Sequence, residues 1–302
     1  MKLALFDQNR LGVVSDDDET LVDVSSALPV HDADPLTAGW WRGLCRDWAE
    51  LAPVIAEAAA AGPAVPVVSV TLNAPVLNPG KVIAAASNYR AQVDEMHDVQ
   101  ERTLGTTHDW MFEFDVFLKA ASSITAPAGP VVLPPAVLAE GYEVHHESEL
   151  VVVIGSGGKD IPVEEALDRV FGFTIGLDVT VRSEGDRSRR KSYDTFSPMG
   201  PWIRLREPAG STGGDGGGGA AGFDGSGLRI RLTVDGEVRQ DVDTDDLIMS
   251  VPEIVSYASR VMTLEPGDVI FTGAPPGVGP IRSGETLVTR ISGIGEMTTV
   301  VR

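Results

Sequence analysis

Hydrophobic residues near the N-terminus occur in three short runs that polar turn residues separate. The runs cover residues 2–6, 11–14 and 20–24, and this pattern predicts a small antiparallel meander. A helix is predicted from Leu36 to Ala61, because apolar residues recur there at spacings of three and four until Gly62-Pro63 ends the pattern. The apolar stripe of this helix consists of Trp40, Leu44, Trp48, Leu51 and Ile55.

A proline-rich segment from Pro63 to Gly80 is interpreted as a linker. β-Branched runs dominate the chain after Lys81, so the remainder is expected to be mainly antiparallel β. The pattern therefore predicts an α+β protein, mainly β, with a small N-terminal domain at 1–75 and a larger domain at 76–302.

Two helices and one irregular segment are predicted within the larger domain. The helices are expected from Val163 to Val170 and from Val251 to Val261, each with a proline at or next to its first turn. Residues 208–227 are rich in glycine and are predicted to form a mobile surface loop. No catalytic residue is expected in that loop.

The chain has 302 residues and a formal net charge of −20 at pH 7. This charge opposes binding to nucleic acids and to anionic membranes, so the expected partner is a small molecule. An anionic substrate would need a locally positive pocket or a bound cation. Cys45 is the single cysteine, and no signal-peptide core or run of about 18 apolar residues is present, which predicts a cytoplasmic protein.

Three carboxylates occur in apolar surroundings in the middle of the chain. In the segment HHESELVVVIG, the alternation of a buried strand directs Glu147 and Glu149 to the same side. Asp178 lies within FTIGLDVTV, where it has no local hydrogen-bonding partner. Carboxylates that are buried together repel one another, so a hard divalent cation would stabilise them, and all-oxygen ligation favours magnesium, manganese or calcium over zinc.

A simpler interpretation of these residues stays open at this point. Glu147 and Glu149 could lie on a solvated strand edge, and Asp178 could pair with a basic residue such as Arg182. The spacing alone does not decide between this interpretation and a metal site, because a Glu-x-Glu pair on a strand is common.

Several segments, in their order and spacing, resemble the fumarylacetoacetate hydrolase family from about Lys81 to the C-terminus. These segments are SNYRAQVDEM, FLKAASS, EVHHESELVVVIG, GFTIGLDVTVR, KSYDTFSPMGPW and TLEPGDVIFTGAPPGVGPIRSGE. The resemblance implies a mixed β-roll with a small N-terminal α/β domain. It also implies a homodimer, and a Mg²⁺ or Mn²⁺ ion, with Ca²⁺ a further candidate, held by Glu147, Glu149 and Asp178.

The resemblance also implies which residues contact the substrate. Arg182 and Lys191 fall at positions that line the pocket and pair with substrate oxygens, and Lys191 is a candidate catalytic residue. The further substrate-binding positions are Tyr89, Lys119 and Thr272. Arg182, Lys191 and Lys119 would supply the local positive charge that an acidic protein otherwise lacks.

The chain departs from the family pattern at the position of the usual catalytic base. Hydrolytic members have the lid motif N-Y-x-x-H-x-x-E, whereas here Asn88-Tyr89 is followed by Gln92 and Glu95. Glutamine cannot accept a proton at neutral pH. Glu95 could therefore act as the base with Gln92 positioning water, or His97 or His108 could replace the missing histidine.

Two further departures affect the pocket: Ala274 replaces a threonine of the T-G-T-P turn, and Gly185 replaces a glutamine. The resulting hypothesis is a metal-dependent hydrolase that cleaves a carbon–carbon bond in a 2-oxo acid, acylpyruvate or related 1,3-diketone, as in aromatic catabolism. The alternatives are a lyase or isomerase on the same metal platform, such as an oxaloacetate-type decarboxylase, a 2-hydroxyhepta-2,4-diene-1,7-dioate isomerase or a dehydratase. A non-catalytic metal-binding relative is the third hypothesis.

Overall fold

The computed structural model describes residues 1–34, 39–105, 113–208 and 222–302. The strands are β1 Lys2–Phe6, β2 Arg10–Val14, β3 Thr20–Asp23, β4 Ala64–Pro66, β5 Val82–Ala86, β6 Asp115–Lys119, β7 Ile124–Thr125, β8 Glu143–His146, β9 Ser148–Ile154, β10 Val170–Leu177, β11 Thr180–Arg182, β12 Ser197–Leu205, β13 Arg229–Val234, β14 Glu237–Asp243, β15 Val269–Phe271, β16 Gly279–Pro280, β17 Thr286–Ile291 and β18 Gly295–Val300. The helices are α1 Gly39–Arg46, α2 Trp48–Ala61, α3 Arg90–Leu104, α4 Pro135–Ala139, α5 Val163–Ala166, α6 Arg187–Lys191 and α7 Val251–Val261.

A large mixed sheet runs through the molecule in the order β4-β3-β2-β1-β12-β10-β9-β15-β5-β6. Its central strands β9 and β10 are buried along their whole length and pair antiparallel. Two smaller sheets, β11-β8-β16 and β14-β13-β17-β18, complete the β structure of the described residues. Within these ranges the pairings are antiparallel except β5 with β15 and β7 with β12, so the expectation of mainly antiparallel β structure is confirmed.

The predicted N-terminal meander is confirmed as β1, β2 and β3. Strand β1 also pairs with β12, so the meander extends the large sheet, and the division of the chain at about residue 75 stays a prediction. The single helix predicted for 36–61 is observed as α1 and α2. Asp47 leaves the helical conformation (φ −100°, ψ 21°) and precedes α2, a position where Asp is favoured. Residues 35–38 lie outside the described ranges.

The prediction of α7 is confirmed at both ends, with a capping box between Ser250 and Glu253. The helix predicted from Val163 to Val170 is shorter than expected. It ends at Ala166, and Val170 already pairs with Ile154 at the start of β10. The segment predicted as a linker contributes β4, which pairs with β3.

Three helices that follow β5 in the described part of the chain, α3, α4 and α6, were not predicted. α3 is rich in charged residues and lacks a strong apolar stripe, whereas α4 and α6 are only five residues long. Of the predicted glycine-rich loop, residues 209–221 lie outside the described ranges. Among the residues that are described, no helix is long and apolar enough to cross a membrane.

Asn88 fixes the chain just before α3. Its side-chain amide donates to the carbonyl oxygens of Met249 (3.0 Å) and Thr272 (2.8 Å), and its Oδ1 accepts from the Met249 amide (2.7 Å). We expect Asn88→Ala to lower the free energy of unfolding by about 2–3 kcal/mol, because these backbone groups lose their buried partner. Urea denaturation of both proteins measures the effect, and an unchanged midpoint would contradict it.

Candidate active site

Three carboxylates converge at the ends of the central strands. Glu147 lies at the junction of β8 and β9, Glu149 lies within β9, and Asp178 directly follows β10. The exposed fractions of their side chains are 4%, 1% and 1%, respectively. One ligand atom from each residue lies within 4.8 Å of the others. The alternative of a solvated strand edge is therefore wrong, because both glutamates are buried beside the aspartate.

Buried cations surround this cluster. Lys191 Nζ lies 2.6 Å from Glu147 Oε2 and 2.5 Å from Asp178 Oδ2. Lys119 Nζ donates to the other Asp178 oxygen at 2.6 Å, and Arg182 donates to Glu147 Oε1 at 2.6 Å. Asp178 thus pairs with the two lysines, whereas the suggested partner Arg182 pairs with Glu147.

Glu149 differs from its two neighbours because no cation lies within ion-pair distance of it in the described part of the chain. It accepts a hydrogen bond from the Gly273 amide at 2.7 Å. Burial, and then the charges of Asp178 and Glu147, raise the pKa of Glu149 well above its usual value. Burial also acts to raise the pKa of Glu147, but the charges of Lys191 and Arg182 outweigh it and lower that pKa.

The donor set fits a hard divalent cation. It consists of carboxylate oxygens alone, which suit Mg²⁺, Mn²⁺ or Ca²⁺. Glu149 is a buried acid whose ionised form lacks a cation partner among the described residues, and a divalent ion would provide that partner. Glu147, Glu149 and Asp178 are therefore the residues that could hold a metal.

Helix α3 carries Gln92 and Glu95 at the positions of the family's lid motif, and it is called the lid helix below. The charges of Arg182 and Glu147 act on Glu95. The lid helix packs against β11, and Met96 packs against Ala274 and Val278. Glu95 Oε2 accepts a hydrogen bond from the Gly277 amide at 2.7 Å. Burial raises the pKa of Glu95, although the backbone hydrogen bonds oppose this shift. His108 and the side chain of His97 lie outside the described residues.

Tyr89 and Thr272 differ in what their hydroxyl groups can do. The hydroxyl of Tyr89 is buried without a hydrogen-bond partner among the described residues, and burial and the charge of Glu149 raise its pKa, so it stays protonated. The hydroxyl of Thr272 donates to the Leu150 carbonyl oxygen at 3.0 Å. Tyr89 therefore has a free donor, whereas the proton of Thr272 is already committed to the backbone.

A contact that sequence reasoning missed holds the C-terminal end of α3. Both terminal nitrogens of Arg102 donate hydrogen bonds to the carboxylate of Glu143 in β8, at 2.9 and 3.0 Å. Glu143 also lies 2.8 Å from His145 Nε2. The hydrogen bond from Arg102 lowers the pKa of Glu143 to about 2, against the effect of burial. No spacing rule links residues that lie 41 positions apart.

Comparison with known proteins identifies the family. The model of the fumarylacetoacetate hydrolase C-terminal domain matches residues 81–302. The chain belongs to the fumarylacetoacetate hydrolase family. A maleylpyruvate hydrolase of Aquipseudomonas alcaligenes is 38% identical over 304 residues, which cover 100% of this chain and 99% of the relative.

Two solved structures of family members are also similar. The crystal structure of maleylpyruvate hydrolase from Sphingobium sp. SYK-6 in complex with manganese(II) ion and pyruvate has a TM-score of 0.80 and 35% identity, with 100% of this chain and 98% of that chain covered. The 2-hydroxyhepta-2,4-diene-1,7-dioate isomerase from Mycobacterium marinum has a TM-score of 0.70 and 29% identity, with the same coverage. The expected fold class is confirmed by these neighbours.

The Arg102–Glu143 pair ties the lid helix to β8, so its loss should loosen α3. We expect Arg102→Met to speed amide hydrogen exchange in the peptide covering α3 by about two- to fivefold, because exposed ion pairs contribute up to about 1 kcal/mol. Mass spectrometry measures the exchange. The matched control is Arg90→Met, which removes the same charge from an exposed position of the same helix. Equal exchange in both variants would contradict the role of the pair.

Proposed function

We propose that this protein is a divalent-metal-dependent hydrolase that cleaves the carbon–carbon bond of an acylpyruvate. The observation that carries the proposal is the buried group of Glu147, Glu149 and Asp178 with cations on its sides. Support also comes from the full-length similarity to a maleylpyruvate hydrolase and from the relative that binds manganese and pyruvate.

In this proposal Glu147, Glu149 and Asp178 hold Mn²⁺ or Mg²⁺, and Ca²⁺ is a further candidate. The bound ion would act as a Lewis acid on the adjacent carboxylate and keto oxygens of a 2-oxo acid. Arg182 and Lys191 pair with substrate oxygens. Lys191 also offsets the negative charge that develops when the bond breaks, and Lys119 holds Asp178 in place.

Water activation is assigned to Glu95, because Gln92 cannot accept a proton. The raised pKa of Glu95 brings it closer to neutrality, which suits a general base. Glu95 takes a proton from water as the water oxygen attacks the acyl carbonyl carbon, while Gln92 orients that water. The bond to the pyruvate methylene carbon then breaks, and its electron pair forms the enolate of pyruvate. The proton held by Glu95 then passes to that carbon, which yields pyruvate and a carboxylic acid and restores the base.

A second candidate function is a lyase or isomerase that uses the same residues. It is favoured by Gln92, since decarboxylation or keto–enol conversion needs no activated water. It is also favoured by the similarity to a 2-hydroxyhepta-2,4-diene-1,7-dioate isomerase. A non-catalytic relative is less well supported, because all three carboxylates and the flanking cations are present.

We further propose a homodimer that acts in the cytoplasm, in the catabolism of aromatic compounds. The dimer follows from the family resemblance and from the strands β4 and β6, which end the large sheet. The cytoplasmic location follows from the single cysteine, Cys45, which is buried.

If Glu149 holds the metal, replacing it with glutamine removes a charged ligand while the volume of the side chain stays nearly the same. We expect Glu149→Gln to weaken Mn²⁺ binding by at least about 100-fold, more than the loss of an outer hydrogen-bond partner causes. Isothermal titration measures the affinity, and the rise in melting temperature with Mn²⁺ should disappear as well. Glu140→Gln, at an exposed position, is the control. Unchanged affinity in Glu149→Gln would remove this residue from the metal site.

Turnover in ¹⁸O-labelled water tests hydrolysis itself. With Mn²⁺ and acetylpyruvate, we expect one labelled oxygen to enter the acetate product. Glu95→Gln should lower kcat by about 10²- to 10⁴-fold, because the general base is lost. Glu101→Gln, an exposed position of the same helix, should leave kcat unchanged.

The other outcomes separate the alternatives. Metal-dependent consumption of a 2-oxo acid with release of carbon dioxide, or with keto–enol conversion and no label, would overturn hydrolysis in favour of the lyase or isomerase. An unchanged kcat in Glu95→Gln would remove Glu95 as the base but leave hydrolysis standing.

A further inference from the structure

Gln240 is a buried amide in a strand whose other residues are exposed or half-buried. Strand β14 covers Glu237–Asp243, and of these seven described residues only Gln240 is buried, at 0% exposure. A buried amide needs hydrogen-bond partners for both its oxygen and its nitrogen, because it has lost its hydration. The partners of Gln240 therefore show what its side chain holds together.

The amide oxygen of Gln240 contacts the residues on both sides of Glu147. The Ser148 amide donates to Gln240 Oε1 at 2.9 Å, and His146 Nδ1 lies 3.3 Å from the same oxygen. Glu147 lies where the chain leaves the sheet of β8 and enters the large sheet with β9. No single ladder of strand pairing runs through Glu147, and Gln240 adds a contact at this change of sheets.

The amide nitrogen of Gln240 holds the loop at 272–278. Gln240 Nε2 donates to the Pro275 carbonyl oxygen at 2.9 Å. The loop also lies against β14 at Gly277, where φ is +88° and a Cβ would overlap the Arg239 carbonyl oxygen. The loop therefore follows the position of β14.

Pro275 lies between two backbone donors that contact acidic residues of the site. The Gly273 amide donates to Glu149, and the Gly277 amide donates to Glu95, both at 2.7 Å. A shift of this loop would move both donors together.

Only an amide meets both demands of this position. The Ser148 amide needs an acceptor and the Pro275 carbonyl needs a donor, and glutamine offers one of each. An ionised carboxylate could not donate, and an apolar side chain would leave both backbone groups without this partner.

We propose that Gln240 is a positioning residue that keeps Glu147 and the loop at 272–278 at a fixed separation, and so sets the geometry in which Glu147 and Glu149 bind a divalent metal. The inference rests on the proposed function for the presence of that metal. Gln240 acts through its neighbours and supplies no ligand atom to the cluster. If the loop shifts, Glu149 loses the amide that stabilises its ionised form, and the metal loses a charged ligand.

The Mn²⁺ affinity of Gln240→Met tests this role. Methionine has nearly the same length but lacks the amide. We expect the affinity to fall about 10- to 100-fold, the usual effect of losing a group that orients metal ligands. Isothermal titration measures it. Amide hydrogen exchange in the peptide covering 272–278 should also become faster, because the loop loses an attachment.

Thr299→Val is the matched control. Thr299 is buried in β18, at the opposite edge of the same small sheet, and its hydroxyl also donates to a proline carbonyl oxygen, that of Pro127, at 3.0 Å. Its loss should lower the melting temperature and leave the Mn²⁺ affinity unchanged. Unchanged affinity in Gln240→Met, or an equal loss in both variants, would overturn the proposal.

Gln240→Glu provides a second test if Gln240→Met does not fold. It keeps an acceptor for Ser148, but its ionised carboxylate cannot donate to Pro275. The added negative charge alone would strengthen the binding of a cation. Weaker Mn²⁺ binding would therefore report the lost attachment of the loop, whereas stronger or unchanged binding would overturn the proposal.

The same titrations separate this inference from the proposed function. An absence of Mn²⁺ binding by the wild-type protein would overturn both. Weak binding in Gln240→Met, together with no turnover of any acylpyruvate by the wild-type protein, would uphold the positioning role and overturn only the proposed hydrolysis. Unchanged binding in Gln240→Met, together with labelled acetate from the wild-type protein, would overturn only the positioning role.

Discussion

The structure of the site depends on how three buried carboxylates are kept close together. Each ionised carboxylate loses its hydration, and neighbours within 4.8 Å repel one another. Lys191 reduces this repulsion for Glu147 and Asp178 because its ammonium group bridges them. Lys119 and Arg182 each neutralise one further oxygen. Glu149 is the carboxylate that these cations leave unmatched, and this asymmetry makes the cluster suitable for a divalent ion.

The central sheet holds these groups at fixed positions. Glu149 lies opposite Gly176 in the pairing of β9 with β10, and the amide of Asp178 donates to the carbonyl of Glu147 at 2.7 Å. Glycine is required at 176 because a Cβ there would lie 2.5 Å from the ring of Phe271. The ring of Phe271 therefore packs directly against the backbone of Gly176, opposite Glu149. The sheet sets the positions of the carboxylates, whereas burial and the neighbouring charges set the pKa values of Glu147 and Glu149.

The sequence was informative where function depends on local patterns. The alternation around Glu147 and Glu149 predicted a shared side, and the apolar setting of Asp178 predicted a distant partner; the structure confirms both. The pair of Arg102 and Glu143 could not be predicted, because an ion pair between α3 and β8 leaves no periodic signal in the sequence. The burial of Arg190 could not be predicted either, since a basic run in a short helix gives no sign of which side chain is buried.

The loop that follows β15 links the two halves of the site. The Gly273 amide donates to Glu149, and the Gly277 amide of the same loop donates to Glu95 of the lid helix. Both bonds favour the ionised form of a carboxylate, one in the buried carboxylate cluster and one in the half-buried candidate base. The loop also supplies Ala274, against which Met96 of the lid packs. Ala274 is one of the positions where this chain departs from the family pattern. A methyl group there packs against the lid, whereas a hydroxyl would need a hydrogen-bond partner in the same contact. Ala274 therefore gives the helix that carries Glu95 an apolar contact and offers no hydroxyl to a substrate.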